Sequence, residues 1–476
     1  LFLGVSSFAG LLFTIVEDPV VLISKFVNYG TLLHKAISTE MDSVHISAYL
    51  FNVTNAEQFA SGEDHKLKVQ EVGPFTYQEN RTNEDLEIDL EAGVIRYTPR
   101  NRVTFLPEES VGRPEDSIVT MPNIAMLSMA SAVSDYGYFA RVGFNVLTTR
   151  LGSNATVTMR ASDYLWGYDE PLIRLGNQML PGWINFNTLG LLDRLYDKNA
   201  TFRIEVSARD EDKFMIKTIN GVGGLKQSQC NSFSDAFEGL GYPTEITPDR
   251  PLKIYRNVLC RFLELEYVGK KTMDFGIEGL NYKVSNRTYS KIPENECLCS
   301  KGTCVDGVSN IAPCFYGLPV SLSNAHFLDT DPSLYERIEG MAPDEEKHGS
   351  EFNIEQIIGM IMTTKFSVQV NVMVRNVDFN SKIERYSNMI VPVAHFKIVQ
   401  PRLPEDQIST LKLIHIYGPY ILLTVQLVLV SSSVIFLLHS LRLLYCSWIF
   451  SRRKDIHMNS DILNVKDMLS TEPLMR

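Results

Sequence analysis

The residues best able to do chemistry are six of the seven cysteines. Cys230, Cys260, Cys297, Cys299, Cys304 and Cys314 fall in one region (230–314), and Cys446 lies apart. Thiolates in close pairs hold zinc in a reducing compartment and bond to one another in an oxidising one. The spacings do not form two C-x-x-C pairs. N-glycosylation sequons at Asn52, Asn80, Asn154, Asn199 and Asn286 place the same region in an oxidising, glycosylating compartment. Disulfides are expected, and no metal. Cys297 and Cys299 are one residue apart and would bond only in a strained ring, whereas Cys299 and Cys304 can close a tight loop, so Cys297 must reach back across the sequence. A bridge closing several tens of residues restricts the unfolded chain by about 4 kcal/mol.

Catalytic patterns do not emerge. H-E-x-x-H, G-x-S-x-G, a dinucleotide glycine fingerprint and a phosphate-loop lysine are missing, and Gly221, Gly223 and Gly224 read as a turn. The nine histidines are scattered, and Asp344, Glu345 and Glu346 read as a solvated acidic loop. No catalytic residue and no cofactor are expected, so the chain is not read as an enzyme. A formal net charge of -11 disfavours nucleic acid.

Alternation of apolar and polar residues marks strands around Phe366, Val368, Val370, Val372 and Val374, around Phe202, Ile204 and Val206, and around Leu263, Leu265 and Tyr267. Leu86, Ile88 and Leu90 turn at Ala92 and Gly93 and return through Ile95 and Tyr97 as a hairpin. These strands come from distant parts of the chain and predict a large, mainly antiparallel sheet system. Residues 122–151 predict a small helical subdomain, with Ile124, Leu127, Ala130, Phe139, Val142 and Val146 at helical spacing. The fold class is α+β.

Residues 416–438 carry no charge and would extend about 34 Å as a helix, enough to cross a bilayer. Tyr417, Tyr420, Tyr445 and Trp448 suit the interfaces, and Arg452, Arg453 and Lys454 place residues 439–476 in the cytosol, with 455–476 as a disordered tail. Residues 1–16, uncharged and apolar, read as the end of an uncleaved first anchor, since no basic leader and no small-x-small cleavage site precede Glu17. Residues 17–415 then form one ectodomain between two spans, with both tails cytosolic. Cys446, beside the basic cluster, is a palmitoylation candidate.

Longer stretches resemble the class B scavenger receptor family. They are Val69-Gln70-Glu71-Val72-Gly73-Pro74-Phe75-Thr76-Tyr77, Leu165-Trp166-Gly167-Tyr168, Cys297-Leu298-Cys299, His326-Phe327-Leu328, Ile338-Glu339-Gly340-Met341-Ala342-Pro343 and Glu345-Glu346-Lys347-His348. The resemblance implies an irregular antiparallel β-barrel, a helical bundle at the membrane-distal apex and an apolar tunnel toward the bilayer. It also implies the pairs Cys230 with Cys297, Cys260 with Cys314 and Cys299 with Cys304. The function implied is binding of lipids (fatty acids, sterols or carotenoids) and lipoprotein-like particles at the plasma membrane or an endosomal or lysosomal membrane.

Such a tunnel would spare an acyl chain the cost of water, about 0.8 kcal/mol per methylene. At the apex, Arg141 and Arg150 would attract anionic groups, and Met126, Met129, Phe139 and Phe144 would offer adaptable apolar surface. A trafficking receptor for a lysosomal protein cargo is a second reading, suggested by Glu472-Pro473-Leu474-Met475. A two-span ligand-gated channel is a third, with Gln426 and Ser431, Ser432 and Ser433 facing a pore.

Overall fold

A computed structural model describes residues 37, 41–179, 188–196, 201–224, 233–256, 259, 261–299, 304–312, 315 and 317–469. These divide into two units, one holding the chain to Pro404 and one beginning at Glu405. Residues 1–16, Cys230, Cys260, Cys314, Asn199 and residues 472–475 lie outside the described residues.

The first unit is a barrel. Its strands are β1 (Met41–Val53), β2 (Leu67–Asp89), β3 (Val94–Phe105), β4 (Ile118–Pro122), β5 (Thr156–Arg160), β6 (Tyr168–Asp169), β7 (Thr188–Leu189), β8 (Ile204–Ser207), β9 (Ile216–Ile219) and β10 (Ala236–Phe237). There follow β11 (Leu252–Arg256), β12 (Arg261–Thr272), β13 (Glu278–Val284), β14 (Ser309–Asn310), β15 (Val320–Ser323), β16 (Ile338–Glu339), β17 (Glu351–Ile354), β18 (Ile361–Met373) and β19 (Ile390–Val399). The main sheet runs β10-β11-β12-β13-β17-β18-β19-β1-β2-β3-β8-β9, and a bridge between Met215 and Phe237 joins its two ends. One bridge nearly closes the circuit and shortens the free edges at its two ends. Pairing is antiparallel except for β10 with β11 and β16 with β2, so the sheet is mixed rather than wholly antiparallel.

The expected hairpin forms, with Ile88 opposite Ile95 and Asp89 opposite Val94. Strand β18 departs from the half-buried pattern. Its apolar Phe366, Val368 and Val372 are buried, and so are its polar Ser367, Gln369 and Asn371. A polar face survives burial when its groups find partners. Here Gln369 Nε2 donates to Asn371 Oδ1 at 2.7 Å, and Asn371 Nδ2 donates to Ser323 Oγ at 3.0 Å.

Six short helices belong to this unit among the described residues outside the tight turns that precede β17: α1 (Ala56–Ser61), α2 (Ile124–Val133), α3 (Tyr138–Arg150), α4 (Ala161–Trp166), α5 (Pro171–Met179) and α6 (Leu191–Leu195). One further turn of helix, α7 (Glu345–His348), follows Asp344, whose side chain caps it by accepting from Lys347 N. The acidic run at 344–346 is thus the start of a helix rather than only a loop.

The second unit holds α8 (Glu405–Lys412), a π-helical turn at Leu413–Tyr417 and α9 (Gly418–Leu469). Among the described residues one helix, Glu405–Lys454, is long and apolar enough to cross a membrane. The helix continues well past residue 438 and includes most of the segment expected to be a disordered tail. The physical reason is that no proline or glycine interrupts the chain between Pro419 and Pro473. Cys446 is a free, exposed cysteine on this helix.

Candidate functional site

The helical region divides into a buried and an exposed helix. Asn123 starts α2 by accepting from Met126 N at 3.0 Å. Residues Ile124 through Ser131 are then all buried, Met126 and Met129 among them. These methionines are core residues, not surface anchors, and so is Phe144 of α3.

Helix α3 presents the apolar surface. Tyr138 is 74% exposed, Phe139 88% and Val146 50%, with Val142 and the preceding Tyr136 also exposed. Positions 138, 142 and 146 follow one another at four-residue intervals, so they form one stripe. The periodicity through Phe139, Val142 and Val146 marked this stripe but not its direction, which is outward. Other large exposed apolar side chains of the barrel, such as Leu90, Val111 and Val268, are scattered. A concentrated exposed apolar stripe marks an interaction surface.

Helix α3 is braced from behind. Phe144 meets Phe379 edge-on at 6.3 Å, and Asn380 Nδ2 donates to Asn145 Oδ1 at 2.8 Å and to Thr148 Oγ1 at 3.3 Å. Arg141 donates to Ser134 O at 2.6 Å and lies over the Phe379 ring at 5.7 Å. It therefore serves packing, while Arg150 is exposed in the last turn.

A small recess, partly open to solvent, is lined by Arg81, Asn101, Phe202, Ile204, Glu238 and Arg256 among others. Its floor is a charged network. Arg81 Nη1 donates to Glu238 Oε1 at 2.7 Å, Arg256 Nη1 to the same oxygen at 3.2 Å, and Tyr97 OH to Glu238 Oε2 at 3.4 Å. Burial opposes the charge on Arg81, but Glu238 more than offsets it and raises the guanidinium pKa further.

A third constellation gathers Glu71 from β2, His395 from β19, His326 from the turn after β15, and His348 from α7. His326, Phe327 and Asp329 all have positive φ, from 53° to 60°. This turn, unusual for non-glycine residues, aims the His326 ring at Glu71. His326 Nε2 lies 2.7 Å from Glu71 Oε2, and its Nδ1 accepts from Ala342 N at 3.2 Å. His348 stacks on His326 at 4.2 Å and 13°, and its Nδ1 accepts from Asp344 N at 3.1 Å. His395 stacks on Tyr49 at 4.4 Å, and its buried Nδ1 sits 3.7 Å from Glu71 Oε2.

Glu71, His326 and His348 have the residue types of a metal site. The geometry favours hydrogen bonding instead. Ligands of a tetrahedral zinc, each about 2 Å from the ion, lie about 3.3 Å apart, wider than the His326 to Glu71 contact. Both Nδ1 atoms accept backbone N–H groups, so both Nε2 atoms carry protons. Parallel rings also direct their lone pairs side by side rather than to one point.

Burial and then His326 push the His348 pKa down to about 4, and burial pushes His395 to about 3 against the pull of Glu71. Burial works to raise the Glu71 pKa, but the His326 hydrogen bond and the nearby His395 outweigh it and lower it. Glu71, His326 and His348 each lie in a motif quoted above, yet nothing in their spacing says that the motifs meet.

Cys299 and Cys304 form a disulfide. The other two implied pairs involve residues outside the described set. Asn154 and Asn286 are exposed, whereas Asn52 and Asn80 are half-buried in strands, with Asn52 Oδ1 accepting from Thr120 N at 2.7 Å.

A nearly closed barrel with an outward apolar helix, in a chain that also carries a helix of membrane-crossing length, has the features of a membrane protein with an exposed apolar face. The chain belongs to the CD36 family, whose profile matches residues 1–444. It is similar to scavenger receptor class B member 1 of Bos taurus, 26% identical over 424 residues, covering 85% of this chain and 81% of that one. Lysosome membrane protein 2 of Homo sapiens is 26% identical over 362 residues, covering 74% and 73%. Protein peste of Drosophila melanogaster is 26% identical over 360 residues, covering 72% and 63%.

Proposed function

We propose that this protein is a scavenger-type receptor that meets lipids or lipoprotein-like particles at the outward face of α3 and passes lipid through the apolar interior of the barrel to the membrane. No bond is made or broken. The observation that carries the reading is the stripe of Tyr138, Phe139, Val142 and Val146 on a helix braced by Phe379 and Asn380. A rigid apolar face costs little entropy to dock. Arg150 adds a cation for anionic head groups, while Met126, Met129 and Phe144 hold the helix pair from beneath. Similarity to proteins named scavenger receptor class B member 1 supports the ligand class.

The rest of the reading follows from that role. The chain is anchored twice, with both tails cytosolic, Cys446 acylated, and Cys230 bonded to Cys297 and Cys260 to Cys314. Sugars are carried at Asn154 and Asn286 and, where the strands admit them, at Asn52, Asn80 and Asn199. The resting site is the plasma membrane or an endosomal or lysosomal membrane. A protein cargo would use the same face, because exposed Tyr136, Tyr138 and Phe139 are side chains that protein interfaces favour. Mass spectrometry of molecules that co-purify with the full chain tests the lipid reading. An acyl lipid, sterol or carotenoid is expected, and protein that stays empty after incubation with all three contradicts it.

A further inference from the structure

We infer that residues 341–349 form an acid-released strap, fastened to the barrel by the Nδ1 lone pair of His326 and by the stack of the His348 ring on it, both of which need the two rings to be neutral. One backbone group of the strap, Ala342 N–H, donates across to His326 Nδ1, while Asp344 N–H donates to His348 Nδ1 within the strap and fixes that ring for stacking. The stack of the two rings at 4.2 Å ties α7 down to the turn after β15. Before the strap, the chain is held more firmly. Ile338 pairs with Leu67, and a Cβ at Gly340 would lie 2.1 Å from Val69 O, so the backbones are in close contact there.

Protonating either ring replaces the Nδ1 lone pair with an N–H. That N–H would face a backbone N–H, two donors with no acceptor, and would put a cation in a stack with a second imidazole. The groups facing His348 are His326 from the turn, Glu71 from β2, His395 from β19, and Asp344 and Lys347 from the strap itself. Glu71 and Asp344 favour a proton on His348, but burial, His326 and Lys347 oppose it more strongly. The proton is therefore taken up as the strap leaves. The buried His395 lies 5.7 Å from the His348 ring, and His326 N–H is held by the buried Gln369 Oε1 at 2.8 Å.

The sign is fixed by linkage. Closed, His348 titrates near 4, and released it titrates near its ordinary value of 6.5. The open form binds more protons between these limits, so acid favours opening. From pH 7.5 to pH 5.0 the open-to-closed ratio rises about 30-fold for this one histidine. The device does not depend on which ligand α3 meets.

Hydrogen exchange of the full chain in detergent micelles, corrected for intrinsic rates at pH 7.5 and 5.0, tests it. Protection of amides 342–349 is expected to fall about 30-fold at the lower pH while β18 and β19 keep theirs. His348→Asn offers an oxygen near the Nδ1 position but does not titrate, and is expected to abolish the fall. Unchanged protection in the wild type, or a fall that persists in His348→Asn, overturns the inference. A second readout needs no variant: ring-proton exchange at His348 in the wild type should show a midpoint well below 6.5, and a midpoint at or above that value overturns it equally.

Discussion

At the scale of single residues, the sharpest contrast lies between what residue types announce and where they end up. Met126 and Phe139 both looked like adaptable apolar surface, yet Met126 is fully buried and Phe139 is almost fully exposed. Periodicity identifies an apolar stripe but does not say whether a partner element covers it. Arg81 was not singled out, because a lone arginine in a strand carries no signal of a partner such as Glu238, which is 157 residues away. Its importance follows from burial. Arg81→Met leaves Glu238 with the more exposed Arg256 as its remaining cation, and removing one partner of a buried pair costs about 3–5 kcal/mol. A clearly lowered melting temperature in detergent is expected. Melting like that of the wild type would show that Arg256 and Tyr97 satisfy Glu238 alone.

At the scale of elements, the hairpin of β2 and β3 was legible because its turn and both alternating arms are adjacent in sequence. Strand β18 was legible as a strand, but its second buried face was not, since the network from Gln369 through Asn371 to Ser323 joins separate strands. The length of α9 was underestimated because composition changes at residue 439 while nothing there breaks a helix. For α3, the side-chain amide of Asn380 is the link that sequence could not supply. Asn380→Ala removes donors to Asn145 and Thr148 and should cost about 1–3 kcal/mol. The expected readout is faster hydrogen exchange in Tyr138–Arg150 with the barrel strands unchanged. Equal protection of α3 would mean that Phe144 and Phe379 hold it without help.

At the scale of the whole molecule, the fold class and membership of the CD36 family agree with the motifs along the sequence. The bridge that nearly closes the barrel, Met215 with Phe237, could not be read from them, because alternation locates strands without giving their order. The meeting of Glu71, His326 and His348 was hidden for the same reason: it follows from the strand order, which sets β2 beside β1 and β19, with β15 on β18 and β16 on β2. What the nearly closed barrel offers is a steady support for one outward apolar helix, and the proposed receptor role stands on that helix. The most direct measurement is binding and uptake of fluorescent lipoprotein-like particles by cells displaying the full chain or Phe139→Ser/Val142→Ser. Both side chains point outward, so surface amount and melting temperature should not change. The account predicts at least a ten-fold loss of particle binding, about 1.4 kcal/mol, and a matching loss of lipid uptake. Undiminished binding and uptake by a variant present in equal amount at the surface would contradict it.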